Sequence, residues 1–482
     1  MNISNSTDPD TIQTRAEERF AWASVAELAQ GYASGAFTPV DVAQALLARI
    51  TRLNGRVNAV VDLAPGRTLD MARASARRWQ AGAPLSALDG VPVTIKDLSA
   101  IAGWPRWRGG LRADDSPMPA DTPAVARLRE AGAVFLGRTA TPEGGAKVVT
   151  RSPRYGETLN PWDTGRTAGG SSGGAAAALA MGFGPLALGS DGAGSLRIPA
   201  SHCNVVGVKP GFGRVPAFPP DTDMPHSVVG PMARSIADAA AMLEVLCRPE
   251  PRDPYAWPVP YEAPRLDAGV AGLRVAFSAR MGCTAPLVDP EVDALVARAA
   301  SLLAAAGARL DDAAPDWQVD PFGPFDVFWT AACAESLRAV PPPERDRVDP
   351  LIRAVAAGAD RIDLATYQRA IADRMTVACD ARAFFARHDL LIGPVMPVPA
   401  YPAGRDVPEG FADTDWSWCP YTYPWNMTGQ PALSVPVGFT AAGLPVGVQI
   451  VAAMGQEGLM LRAARVIEAA LPLHRRIPPA AL

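Results

Sequence analysis

Two serines and one lysine are the residues of this chain best placed to do chemistry. Ser171 lies in the string Gly169-Gly170-Ser171-Ser172-Gly173-Gly174, and Ser195 in Gly189-Ser190-Asp191-Gly192-Ala193-Gly194-Ser195-Leu196-Arg197-Ile198-Pro199-Ala200. Glycine beside serine, twice, brings backbone amides close to hydroxyls. That suits a nucleophile whose reaction places negative charge on an oxygen. Upstream, Lys96 ends the apolar run Gly90-Val91-Pro92-Val93-Thr94-Ile95-Lys96-Asp97. A solvated lysine, with a pKa of about 10.4, is charged at neutral pH and useless as a base. A wall of Val91, Val93 and Ile95 would favour the neutral amine. Each residue also has a plainer use. Ser195 could cap a helix begun by Leu196-Arg197-Ile198, Ser171 could sit in a flexible Gly/Ser loop, and Lys96 could pair with Asp97 at the surface.

The elements that must position these residues follow from periodicity. Val25 to Ser34 and Val40 to Leu53 read as helices, Val57 to Val61 as a strand and Thr68 to Gln80 as a helix. Val91 to Ile95 is a short buried strand carrying Lys96 at its end. Thr122 to Ala131 predicts a helix and Ala133 to Gly137 a strand; Asn160 to Gly165 predicts a loop. Ala175 to Met181 is helical, Pro185 to Leu188 a strand leading into the second glycine string, and Ile236 to Leu246 a helix. Residues 248–266 are proline-rich and read as a surface connection. Leu273 to Phe277 is a strand and Val292 to Ala306 a helix. The stretch from about 315 to 425 predicts helices with proline-rich joints. Ala432 to Val437 and Pro445 to Val451 predict strands, and Gly458 to Ala470 a closing helix. Alternating strands and helices indicate an α/β core.

Bulk properties narrow the classes. A chain of 482 residues permits about three domains of ~150 residues or one large α/β core. With 48% hydrophobic residues the core is ample, and a net charge of −4 argues against a nucleic-acid partner. No apolar run is long enough to span a bilayer, so no membrane partner is expected. The N-terminal segment MNISNSTDPDTIQTRAEERF lacks the apolar stretch of a secretory signal. Cys203, Cys247, Cys283, Cys333, Cys379 and Cys419 are scattered without a C-x-x-C pair, which reads as reduced thiols rather than disulfides or a zinc site. A soluble, cytoplasmic protein is expected.

In motif content, order and spacing together, the three strings resemble the amidase signature family, whose members hydrolyse carboxamides with a Ser–Ser–Lys triad. Ser195 follows Ser171 by 24 positions, the spacing that family keeps. Weaker similarity lies in Gly230-Pro231-Met232-Ala233-Arg234-Ser235 and in Asn426-Met427-Thr428-Gly429-Gln430-Pro431-Ala432. The resemblance implies one amidase domain over residues 1–482: a mixed central β-sheet covered by α-helices on both faces, around a single large core. Within it lie a polar tail (1–20), N-terminal helices (about 20–80) and a variable, substrate-facing cover (about 315–425). It also implies Ser195 as nucleophile, Ser171 as a proton bridge held in a cis peptide, and Lys96 as general base. No metal or organic cofactor is implied; the partner is a small-molecule amide, and a homodimer is expected because relatives commonly form one.

The small residues Gly192, Ala193 and Gly194 are expected to offer an oxyanion hole from their amides. Ala193 departs from the family's glycine-rich pattern, and its Cβ would distort the hole if a left-handed residue were needed there. Ser172 is expected to brace its loop, and Asp191 with Arg197 to form a loop-fixing pair. Direct pairing of Lys96 with Asp97 would hold the lysine charged, so Asp97 must point elsewhere. Trp416, Trp418, Tyr421, Tyr423 and Trp425, with Trp104 and Trp107, suggest either an aromatic-lined pocket for a bulky acyl group or plain core packing.

Two rival readings stay open on sequence. Gly169-Gly170-Ser171-Ser172-Gly173 fits the G-x-S-x-G elbow of an α/β-hydrolase esterase, which would need a preceding strand and a His–Asp pair from among His202, His226, His388 and His474. Alternatively, the chain is the glutaminase subunit of a tRNA-dependent amidotransferase; that subunit usually carries glutamine where Ile198 stands.

Overall fold

The computed structural model describes residues 17–112, 115–220 and 226–482, so most of the expected polar tail lies outside the described residues. Residues 17–21 are already helical, and Glu17 and Phe20 are buried, so the tail does not extend to residue 20.

Eleven strands form one mixed sheet: β1 (Val60–Leu63), β2 (Pro92–Lys96), β3 (Val134–Thr139), β4 (Leu186–Asp191), β5 (Val206–Lys209), β6 (Val228–Ala233), β7 (Arg274–Phe277), β8 (Arg309–Asp312), β9 (Leu390–Pro394), β10 (Ala432–Phe439) and β11 (Pro445–Ala452). Their order is β1-β3-β2-β4-β6-β5-β10-β11-β9-β7-β8. Every residue of β2, β3, β9 and β11 is buried, the mark of strands covered on both faces. The covering helices are α1 (Val25–Ser34), α2 (Pro39–Leu53), α3 (Pro65–Gln80), α4 (Pro123–Glu130), α5 (Gly173–Ala180), α6 (Arg197–Cys203), α7 (Ile236–Leu246) and α8 (Pro290–Ala305). They continue with α9 (Phe322–Arg338), α10 (Pro350–Ala356), α11 (Leu364–Phe385), α12 (Pro424–Met427) and α13 (Glu457–Ala470). Capping boxes Ser24/Glu27 and Thr38/Asp41 start α1 and α2 where the apolar periodicity begins. No helix among the described residues is long and apolar enough to cross a membrane.

One large apolar cluster fills the space between sheet and helices. A second gathers Phe325 and Phe328 of α9, Leu351 and Ile352 of α10, Trp416, Trp418 and Tyr423 over Val148, Val149 and Ile198. Strands β2 and β4 run parallel, with Ile95 opposite Leu188, so their C-terminal ends emerge together.

Two expectations are corrected, and three strands are added. The segment read as a loop over Asn160 to Gly165 is a hairpin: Asp163–Thr167 pairs with Leu159–Asn160 across Pro161-Trp162. It is a small two-stranded ribbon outside the main sheet, exposed at its turn, so it is not the central strand an elbow requires. The 315–425 stretch is not wholly helical, because β9 inserts between β7 and β11. Finally, β5, β6 and β8 have no counterpart in the sequence-based assignment.

Candidate active site

Lys96 closes β2, and burial of Val91, Val93 and Ile95 supplies the expected apolar wall. Its Nζ lies 2.7 Å from Ser171 Oγ, 2.9 Å from Ser172 Oγ and 3.0 Å from Ser190 Oγ. Lys96 has no exposed surface; burial drives its pKa down to about 7, against the opposing pull of the Asp191 charge. Asp97 does point elsewhere. Its carboxylate accepts hydrogen bonds from the amides of Trp107 (3.1 Å) and Gly109 (3.1 Å) and from the Tyr155 hydroxyl (2.8 Å), with Arg138 Nη1 at 3.5 Å. The surface ion-pair alternative for Lys96 is thereby removed.

Ser171 follows a cis Gly170–Ser171 peptide at the entrance to α5. Thr150 fixes this loop: its hydroxyl donates to the Gly169 carbonyl (2.9 Å) and accepts from the Gly173 amide (2.9 Å). A side chain at position 170 would stand 2.5 Å from the Val149 backbone, so only glycine fits this approach. Ser172 braces the loop as expected. Its hydroxyl donates to the Ser190 carbonyl at 3.1 Å, which commits its one hydrogen and makes it an acceptor for Lys96.

Ser195 lies between β4 and α6 and is 7% exposed. It caps nothing: the residue before α6 is Leu196, with no side-chain cap. The Ser195 carbonyl accepts from the Ser172 amide (3.2 Å), joining the two serine loops. Among the described residues the Ser195 hydroxyl forms no hydrogen bond, so its link to Ser171 is not made in this structure.

Of the three amides expected at an oxyanion hole, that of Gly194 is already bonded. The Gly194 amide donates to Asp191 Oδ1 at 2.6 Å and is therefore committed. A fully buried carboxylate needs donors, and this loop amide is one of those that meet the need. The amides of Gly192, Ala193 and Ser195 donate to no group among the described residues. The left-handed residue is Gly194, at φ 135°; neither Gly192 nor Ala193 has positive φ, so the Ala193 Cβ does not distort the backbone. Instead, Ala193 packs on the second apolar cluster, and its carbonyl accepts from Thr422 Oγ1 at 2.6 Å.

Asp191 and Arg197 form the expected pair, and it is part of a larger buried network. Arg197 Nε and Nη2 each reach an Asp191 oxygen at 2.9 Å; the guanidinium also donates to the Thr422 carbonyl (2.9 Å), Gln449 Oε1 (2.7 Å) and Asn426 Oδ1 (2.6 Å). Asn426 Nδ2 returns a bond to Asp191 Oδ1 at 3.0 Å, and the Leu196 amide reaches Oδ2 at 3.1 Å. Burial alone would raise the Asp191 pKa, but the Arg197 charge and these bonds prevail and hold it at about 2. Sequence reasoning missed Ser190, Thr422 and Gln449, and it quoted Asn426 without a role.

Apart from half-buried Trp107, these aromatic residues are core. Trp416, Trp418 and Tyr423 lie in the second cluster, where Tyr423 stacks on Phe325 at 4.5 Å; Tyr421 and Trp425 lie in a third. Trp104 joins the main cluster, and Trp107 stands edge-on to Tyr155. Contact with the nucleophile loop runs through Ala193 and Ile198. No histidine bonds to Ser171 or Ser195 among the described residues. The ring nitrogens of His202 and His226 are buried without partners, and His388 faces Asp311 at the β8 edge of the sheet.

Two serine loops and a buried lysine thus meet where the central strands β2 and β4 end. The chain is a member of the Amidase family, whose model matches residues 41–461. It is 36% identical to an acylamidase of Rhodococcus erythropolis, over 96% of this chain and 98% of that protein. It is 35% identical to a glutamyl-tRNA(Gln) amidotransferase subunit of Myxococcus xanthus (strain DK1622), over 94% and 98% of the two chains. Among solved structures, a bacterial aryl acylamidase of the amidase signature family superposes with a TM-score of 0.88 at 28% identity, covering 94% of this chain and 97% of the other.

Proposed function

We propose that the protein hydrolyses a carboxamide with an aromatic or bulky apolar acyl group, through an acyl-enzyme on Ser195. The observation that carries this is the 2.7 Å contact between Ser171 and a lysine that has lost access to water and to any direct carboxylate partner. In the neutral amine, Lys96 donates to Ser172 and Ser190, leaving its lone pair for the Ser171 hydroxyl hydrogen. Ser195 Oγ attacks the amide carbon; its proton passes to Ser171 Oγ as the Ser171 proton passes to Lys96. The amides of Gly192, Ala193 and Ser195 are the donors free to meet the oxyanion. The proton then returns from Lys96 through Ser171 to the departing nitrogen, releasing ammonia or an amine. Water, activated along the same relay, cleaves the ester to a carboxylate.

The acyl preference is supported by apolar Ile198, standing where the glutaminase subunit usually carries glutamine, and by the likeness to an aryl acylamidase. Residues 315–425, which supply α9 to α11 and the aromatic segment, are proposed as the cover over the acyl group. A cytoplasmic location is supported by six free cysteines. A homodimer is proposed from the family resemblance, with light scattering as its test.

The deciding experiment is a panel of aryl, alkyl and peptide-like amides with L-glutamine, assayed with wild type and with Ser195→Ala, Ser171→Ala and Lys96→Ala. Near-normal turnover by Lys96→Ala at neutral pH overturns the relay. A preference for glutamine over every aryl amide overturns the acyl assignment in favour of a glutaminase subunit.

A further inference from the structure

We infer that Lys147, Asp349 and Asp406 are positioning residues that seat the cover on the Ser171 loop and thereby set the enzyme's tolerance for large acyl groups. The inference rests on Ser195 being the nucleophile.

The strap over residues 143–151 touches both sides. On the catalytic side, Thr150 holds the loop through Gly169 and Gly173, the Val149 backbone leaves no space beside Gly170, and a side chain at Gly145 would stand 3.3 Å from Ser171 Oγ. On the cover side, Lys147 Nζ lies 2.8 Å from Asp349 Oδ2 and 3.3 Å from Asp406 Oδ2. Asp349 precedes α10 and caps it at the Leu351 amide (2.9 Å), while its own amide donates to Glu143 Oε2 at 2.7 Å. Asp406, in the segment before the aromatic cluster, also holds Arg151 at 2.9 Å. Between the charged ends of the strap, Val148 and Val149 line the second apolar cluster.

The Lys147, Asp349 and Asp406 side chains are 4%, 2% and 7% exposed. Charges this buried demand close geometry, because removing one partner leaves another unpaired in an apolar setting. The strap therefore cannot shift against the cover without breaking these contacts, and it cannot shift against Thr150 and Gly170 without moving Ser171. A substrate whose acyl group presses on the cover is registered against the serine loop through Lys147. A small amide makes no such demand.

The test uses Lys147→Met and Asp349→Asn in the full chain. Labelling of wild-type Ser195 by an aryl fluorophosphonate, located by peptide mapping, comes first. If Ser195 is not labelled, the nucleophile assignment fails and the inference falls with it. Given labelling, kcat and KM are measured for an arylacetamide and for acetamide. The expected result is a loss of about tenfold or more in kcat/KM for the arylacetamide, mostly in KM, against about threefold or less for acetamide. The double variant is expected to be no worse than the more damaged single one. Equal losses on both substrates, or a lowered Tm with unchanged kinetics, would overturn the positioning role while leaving the Ser195 assignment intact. Should Lys147→Met not fold, Asp406→Asn, which keeps the Lys147–Asp349 pair, is expected to show the same selectivity at smaller size; its absence overturns the inference.

Discussion

Lys96 and Lys147 are both buried lysines, yet the molecule treats them in opposite ways. Lys96 ends a central strand and meets three serine hydroxyls, with no carboxylate bonded to it. Lys147 sits in the strap and meets two carboxylates. Burial penalises the charge of any amine. Where only hydroxyls answer it, as at Lys96, the neutral amine is favoured. Where carboxylates answer it, as at Lys147, the amine serves as a fastener. Asp191 stands near enough to favour the Lys96 charge, but Arg197 occupies its carboxylate, so desolvation wins. The role of a buried lysine is thus written in its partners.

The largest effect that tests this contrast is on rate. Lys96→Met is expected to lower kcat by about 10³-fold or more on any amide, while Lys147→Met keeps most of its turnover of acetamide; equal losses would break the comparison. Next comes stability. Urea unfolding should show Lys147→Met destabilised by about 3–5 kcal/mol, since Asp349 and Asp406 lose their shared partner. Lys96→Met, which strands only neutral hydroxyls, should cost about 1–2 kcal/mol.

A pH profile sharpens the picture further. With Lys96 at about 7, kcat/KM should fall about tenfold per pH unit below that value and level off above it. Lys209, also held at about 7 by burial, must be separated from it: Lys209→Met should keep the acid limb. Because the folded pKa lies below the unfolded one, the unfolded chain binds the extra proton between about pH 7 and 10.5. Stability should therefore rise with pH across that window, and less steeply in Lys96→Met. The smallest effect is expected from Ser190→Ala. It removes one acceptor from Lys96 and should shift the acid limb to lower pH by a fraction of a unit, with kcat changed about threefold or less.

What the sequence made legible is what is local. Capped amphipathic helices such as α1 and α2 stand out because period and cap coincide, and the serine and lysine strings because their chemistry is contiguous. The missed strands lacked such a signal. β6 carries Gly230-Pro231, β8 is exposed throughout at the sheet edge, and β9 is five residues within a helical stretch. In the site, Ser190 is the neighbour of a residue already singled out, but its contact with Lys96 depends on the β2–β4 register. Gln449 and Thr422 reach Arg197 only through the tertiary fold. That the Gly194 amide is taken up by Asp191 is a matter of backbone geometry that residue types do not encode.

The hold of Thr422, Asn426 and Gln449 on the loop that carries Ser195 has a consequence for biosynthesis. Residues 191–197 leave the ribosome more than two hundred positions before the groups that lock them in place. Until then Arg197 lacks three of its anchors, and the loop keeps only part of its hold, through Asp191 and the Ser172 amide. A nascent or truncated chain carrying Lys96, Ser171 and Ser195 would thus lack the locked loop until the C-terminal segments had docked.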